Sequence, residues 1–93
     1  MAGPLNGIKI LDLSRLLPGP ACSWYLQGLG AQVDRVESLG KGDLSRYLPA
    51  FVDGHGAYFS AFSQGKRSLA MDFRHPEAKN VLRRLLGDYD VLM

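Results

Sequence analysis

One short run constrains this chain more than any other. Leu5-Asn6-Gly7-Ile8-Lys9-Ile10-Leu11-Asp12-Leu13-Ser14-Arg15 is followed almost at once by Pro18-Gly19-Pro20. Ile8 to Leu13 is rich in branched side chains, with Ile8, Ile10, Leu11 and Leu13 around Lys9 and Asp12. That is the pattern of a mostly buried strand. Two prolines so close predict a loop over Leu16–Pro20, and a helix is expected from Ala21. A strand that breaks into a rigid loop and then opens a helix is the first turn of an α/β domain. Such turns are where these domains usually hold a ligand.

The remainder continues the alternation. Cys22, Tyr25, Leu26 and Leu29 fall at helical spacing and predict a packed stripe, with Gly30 as a left-handed stop. Gly28 within that helix is expected to mark a close helix–strand approach. Residues 31–37 read as a second strand anchored by Val33 and Val36. From Ser38 to Gly56 the chain is glycine-rich and reads as one long irregular loop, a length that is usually functional or covered by a partner. Ala57–Phe62 suits a short helix. Ser68–Phe73 suits a third strand with Leu69 and Met71 on one face.

The clearest helix follows. Pro76 is expected in its first turn, with Glu77 complementing the positive end of the dipole and Arg83-Arg84 the negative end. Ala78, Val81, Leu82, Leu85 and Leu86 form one apolar stripe, and Gly87 stops it. Val91-Leu92-Met93 opens a fourth strand. The order β-α-β-loop-β-α-β implies right-handed crossovers and an α/β fold: a Rossmann-like parallel sheet with flanking helices on both faces. The last apolar run has no polar exit, so residues 1–93 are expected to be the N-terminal part of a domain whose sheet continues.

Composition narrows the function. A net charge of +2 is too weak to imply nucleic acid or an anionic membrane as partner, and Lys66-Arg67 and Arg83-Arg84 read as solvated pairs. A single cysteine, Cys22, allows neither an internal disulfide nor a CxxC metal site. Its position on the apolar stripe predicts a packed thiol. No apolar run approaches the roughly 18 residues of a membrane span. The opening Met1-Ala2-Gly3-Pro4 lacks a basic stretch followed by an apolar core, and a cytoplasmic setting is expected. A chain this short buries only roughly 60–65% of its unfolded surface, so its stability alone is expected to be marginal.

Few residues suggest chemistry by type and place. A nicotinamide cofactor needs a Gly-x-Gly-x-x-Gly turn after the first strand, whereas Pro18-Gly19-Pro20-Ala21-Cys22 stands there. Glu37 therefore reads as a solvated strand-end carboxylate or an ion-pair partner rather than a ribose ligand. Asp12 suits a structural hydrogen-bond acceptor. His55 reads as a loop residue, and His75 as a residue restrained before Pro76. No serine, histidine and acid stand in a known motif context. No catalytic residue and no metal ligand is assigned.

An ordered set of matching pieces goes further. Pro4-Leu5-x-Gly7-Ile8-Lys9-Ile10-Leu11-Asp12-Leu13-Ser14, Gly19-Pro20, Leu29-Gly30-Ala31-x-Val33 and Val36-Glu37 come first. Gly40-x-Gly42-Asp43, Arg46, Tyr58-Phe59, Lys66-Arg67-Ser68-Leu69, Asp72, Pro76-Glu77 and Asp90-Val91-Leu92 complete it. Along essentially its whole length the chain resembles the N-terminal segment of class III CoA-transferases (CaiB/BaiF type), a family that includes α-methylacyl-CoA racemases.

The resemblance implies a CoA thioester as substrate with no tightly bound cofactor, and a carboxylic acid as second partner. It implies a homodimer in which two chains interlock. Transferases of this kind move CoA between carboxylic acids through an aspartate; the racemase relatives epimerise a 2-methylacyl-CoA with an Asp and a His. That catalytic aspartate resembles nothing in residues 1–93, so the chain alone is expected to be inactive and to carry part of the CoA site. By position, Leu16 and Leu17 match the loop at the thioester end, and Met71 and Arg74 match an apolar and a cationic residue that sandwich the adenine. Ser38 stands where the family often has an arginine for a CoA phosphate. Leu17 replaces the glutamine of formyl-CoA-type members, which points toward racemases and general acyl-CoA members. The alternatives are a non-catalytic fragment or split subunit, and a small nucleotide-binding module.

Overall fold

A computed structural model describes residues 3–93. Strand β1 (Lys9–Asp12) leads into helix α1 (Pro18–Gly28), then strand β2 (Gln32–Ser38). A 3-10 turn (Leu44–Tyr47), strands β3 (Phe51–Val52) and β4 (His55–Gly56), and helix α2 (Ala57–Ser63) fill the next stretch. Strand β5 (Arg67–Met71), helix α3 (Ala78–Leu86) and strand β6 (Val91–Leu92) complete the order.

The main sheet has the order β5-β2-β1-β6, with every neighbouring pair parallel. Counted along the chain this is the 3-2-1-4 order of a doubly wound α/β sheet. The crossovers from β1 to β2 and from β2 to β5 run one way, and the crossover from β5 to β6 runs back. Right-handed connections then put α1 and α2 on one face and α3 on the other. Side-chain contacts agree: Arg35 on β2 reaches Ser63 of α2, while Asp34 accepts from Tyr89 beyond α3. Ile10, Ala31 and Val33 form the packed centre on the α1 face, with Leu26 of α1 against them.

Several expectations are corrected. Helix α1 begins at Pro18, not Ala21, because both prolines sit in its first turn, whose N–H groups have no helical partner to lose. The first regular bond runs from Ala21 N–H to Leu17 O at 2.9 Å. The close approach is at Gly19, where a Cβ would lie 2.1 Å from Ser14 Cβ; around Gly28 there is open space. The stripe is also displaced: α1 buries Pro20 and Ser23, and Tyr25 and Leu29 are exposed. Cys22 is exposed too, so its thiol is not packed. A polar contact at Ser23 chose the buried face, which hydrophobic spacing does not register.

The expected loop from Ser38 to Gly56 holds the 3-10 turn and an antiparallel β3–β4 pair, Phe51 opposite Gly56 and Val52 opposite His55. Strands this short leave no periodicity to read. Helix α3 starts at Ala78 with Glu77 as its N-cap, so Pro76 precedes the helix. The turn from Asp72 to Glu77 is held by its own bonds, His75 N–H to Asp72 O at 3.1 Å and Glu77 N–H to His75 Nδ1 at 3.1 Å. No helix among the described residues is long and apolar enough to cross a membrane.

Candidate functional site

Ligands of doubly wound sheets collect at strand C-terminal ends where neighbouring strands send their connections to opposite faces. In this sheet the order reverses between β1 and β6; β2 and β5 lie beside that point, with their C-terminal ends on the same ligand edge. Their register pairs Ser38 with Met71, so both side chains lie on one face, and Leu39 N–H donates to Met71 O at 2.9 Å just beyond. The chain then turns at Asp72, whose Oδ1 accepts the Arg74 N–H at 3.0 Å. The result is a crevice of about 330 Å³ lined by Ser38, Leu39, Met71, Asp72, Phe73 and Arg74.

Three of the five residues named from the sequence, Ser38, Met71 and Arg74, thus meet in one crevice. Met71 is half-buried and Arg74 exposed. Leu16 and Leu17 do not join them. They lie on the loop leaving β1, exposed at 40% and 47%. The reading of the sequence missed Leu39 and Phe73. Phe73 is an exposed aromatic ring on the crevice wall, and its only sequence signal was its place one residue before Arg74.

A larger groove of about 1030 Å³ opens at the opposite edge, between Ile8, Lys9, Trp24, Leu29, Gln32 and Gly65. It lies at the starts of the strands, away from the ligand edge, so size does not decide between the two.

Behind the ligand edge runs a network of buried charge. Asp12 has no exposed surface; its Oδ1 accepts from the Ser14 N–H at 2.8 Å and from the Ser14 hydroxyl. Its Oδ2 accepts the Ser23 hydroxyl at 2.6 Å and lies 3.8 Å from Lys66 Nζ. Asp12 is thereby a structural acceptor tying β1 to α1. Burial pulls the Lys66 ammonium below the usual lysine range, and the Asp12 charge opposes that.

Arg35 pairs with Asp43, both buried. Glu37 binds Arg46 through both oxygens, at 2.8 and 2.9 Å, and accepts the Asp43 N–H at 2.8 Å. Glu37 is thus an ion-pair partner, not a solvated carboxylate. The Arg46 hydrogen bond holds its carboxyl below the usual range against the opposing effect of burial. The Phe59 ring lies under both guanidiniums, 3.9 Å from that of Arg46 and 5.2 Å from that of Arg35. Cation–π contact of this kind helps to offset the cost of desolvating the charges.

His55 is exposed on the β3–β4 pair, and His75 accepts within its own turn. Among the described residues, no group of three His, Cys, Asp or Glu is arranged to hold a metal ion.

Comparison with known proteins fits this architecture. The chain is 37% identical, over 94 residues and its full length, to a formyl-CoA:oxalate CoA-transferase of Afipia carboxidovorans, of which it covers 22%. It is 37% identical over 91 residues, 97% of its length, to the human succinyl-CoA:glutarate CoA-transferase, of which it covers 21%. A crystal structure of a CAIB/BAIF family protein from Brucella suis superimposes with a TM-score of 0.85 at 40% identity, over 99% of this chain and 25% of that one. The chain therefore spans about a fifth of the length of the curated relatives it matches. A family model described as CoA-transferase family III matches residues 5–93. The chain belongs to CoA-transferase family III.

Proposed function

We propose that residues 1–93 form the N-terminal part of a CoA-binding domain and supply the nucleotide side of a site that moves CoA between carboxylic acids. The observation that carries this reading is the crevice beyond the C-terminal ends of β2 and β5, where Ser38, Met71 and Arg74 converge. Its volume suits a ring and its attached groups. The Met71 thioether packs on one face of the adenine, the Arg74 guanidinium stacks on the other, and Phe73 extends the flat wall. Ser38 leaves room and a hydroxyl near the phosphates.

The named relatives are transferases acting between acyl-CoA and carboxylate partners, which supports transfer over epimerisation of a 2-methylacyl-CoA. The exposed aromatic and aliphatic residues Trp24, Tyr25, Leu29 and Val91 support assembly with further protein, as in a homodimer. A cytoplasmic setting suits CoA chemistry.

The test is titration of CoA into the chain by calorimetry, wild type against Arg74→Ala. Loss of one partly desolvated stacked cation costs roughly 0.5–2 kcal/mol, so the Kd rises about 2- to 30-fold. An unchanged Kd in a folded variant removes Arg74 from the adenine site.

A further inference from the structure

A second crevice, of about 290 Å³, flanks the tip of β2. Ser38 borders it as well as the crevice at Met71 and Arg74. The strand register pairs Glu37 with Ala70 and Arg35 with Ser68. Side chains alternate along a strand, so Glu37, Ser68 and Ala70 face away from Met71, on the side of α2. The two crevices therefore lie on opposite faces of the sheet, and the CoA reading above makes no use of this one.

Its charges do not balance. Glu37 is the one carboxylate among its lining residues, and that carboxylate is spent. Arg46 donates to both of its oxygens, and the Asp43 N–H donates to Oε2 as well. Arg46 commits Nε and Nη2 to the pair, which leaves Nη1 over. Lys41 is exposed and takes part in none of the four ion pairs among the described residues. Its backbone is nevertheless held, because the Tyr47 hydroxyl donates to Lys41 O at 2.8 Å. An unpaired ammonium is thus carried on an anchored turn, beside a crevice whose only acid is already neutralised.

The chemistry of the remaining donors selects the ligand. The two-pronged edge of a guanidinium suits a planar carboxylate, and Glu37 already holds that edge of Arg46. What is left is one Arg46 nitrogen, the Lys41 ammonium and the Ser68 hydroxyl, which come from three separate segments of the chain. Dispersed donors of this kind match the three oxygens of a phosphate group better than the two of a carboxylate.

We propose that this crevice is a phosphate-binding site, in which Lys41 supplies the charge and Arg46 and Ser68 add hydrogen bonds. The ligand is a phosphate dianion, free or at the end of a larger molecule. Because Ser38 borders both crevices, CoA itself is one source of such a group and inorganic phosphate is another.

The experiment titrates sodium phosphate at mildly alkaline pH into the isotope-labelled chain and follows the amide resonances of Gly40, Gly42 and Ser68. Sodium chloride at matched ionic strength is the control. Phosphate moves the three resonances together and saturably, and chloride does not. Lys41→Ala raises the phosphate Kd about 5-fold, Lys41→Arg restores most of the loss, and Lys79→Ala on α3 changes nothing. A second arm compares CoA with 3′-dephospho-CoA by calorimetry. If the phosphate is that of CoA, the wild-type chain prefers CoA and Lys41→Ala removes the preference. If it is free phosphate, the ratio of the two affinities is the same in both chains, while inorganic phosphate still depends on Lys41. Equal shifts in phosphate and chloride overturn the proposal, as does a Lys41→Ala chain that binds phosphate like the wild type. Phosphate binding in a chain that binds neither form of CoA brings down the CoA reading alone.

Discussion

Glu37 and Arg46 form a two-pronged ion pair that closes the loop leaving β2, with Arg46 Nε donating to Oε2 at 2.9 Å and Nη2 to Oε1 at 2.8 Å. The pair is asymmetric: the Glu37 side chain is 6% exposed and that of Arg46 42%. Removing the arginine strands a buried carboxylate, whereas removing the carboxylate returns a guanidinium to water.

Arg46→Ala is therefore expected to cost about 1–3 kcal/mol at pH 7, the range for leaving a buried charged acceptor short of its donor. The Glu37 pKa is lowered by Arg46 in the folded chain. A lowered carboxylate contributes stability that is present above its unfolded value and lost as pH falls. Protonating the stranded Glu37 of the variant relieves its penalty, so the difference from wild type shrinks at pH 4. Urea unfolding at the two pH values measures this; an equal difference at both contradicts it.

Asp34 governs a second part of the acid limb. Arg67 donates to both of its oxygens at 2.6 Å, and Tyr89 and Gln32 add donors. These bonds, Arg67 foremost, hold its pKa at about 2 against the desolvation that raises it. Since the folded value lies below the unfolded one, the stabilisation is complete above about pH 4 and drains away as pH falls toward 2. With the Arg67 side chain 71% exposed, solvent screening leaves roughly 1 kcal/mol. Asp34→Asn is expected to lose about that much at pH 7 and to flatten the urea midpoint between pH 5 and pH 2. A wild-type slope retained in the variant assigns the acid limb to other carboxylates.

Gly40 and Gly42 provide a matched pair. Both have positive φ, +94° and +72°. A Cβ at Gly40 meets nothing within 4 Å, whereas one at Gly42 would lie 2.5 Å from Glu37 Oε2 and 3.0 Å from Arg46 Nε. Gly40→Ala is expected to cost about 1 kcal/mol for the backbone alone. Gly42→Ala adds a displaced ion pair and is expected to cost about 1–3 kcal/mol more. Chemical denaturation of the two variants side by side makes the comparison. Equal costs imply that the Glu37–Arg46 pair shifts without penalty.

The candidate site was half legible. Ser38, Met71 and Arg74 could be named in advance because the resemblance to the family points to those positions, and the strands they end or follow are announced by Val33 and Val36 for β2 and by Leu69 and Met71 for β5. Phe73 and Leu39 were not singled out, because an exposed apolar residue in a turn carries no local signal. Asp43 appeared only as one letter of a matching piece. Its role depends on Leu16, 27 residues away, and on Arg35 and Glu37 from a strand it does not belong to.

The amino-acid order by itself determined the parallel α/β plan. Branched residues define β1 and β2, the stripe from Ala78 to Leu86 and the stop at Gly87 define α3, and Gly30 ends the first crossover. These are properties of a few adjacent residues, where backbone sterics and hydrophobic period suffice. Only the tertiary structure decided which face α1 buries, that Cys22 stays outside, and that Asp12, Arg35, Glu37 and Asp43 go inside. A charge can be desolvated only where a partner meets it, and the partners here, Ser23, Phe59, Arg46 and Lys66, arrive from other elements. The crevice follows the same rule: it exists because β5 lies beside β2 and their connections leave to opposite faces, a relation that no stretch of sequence contains.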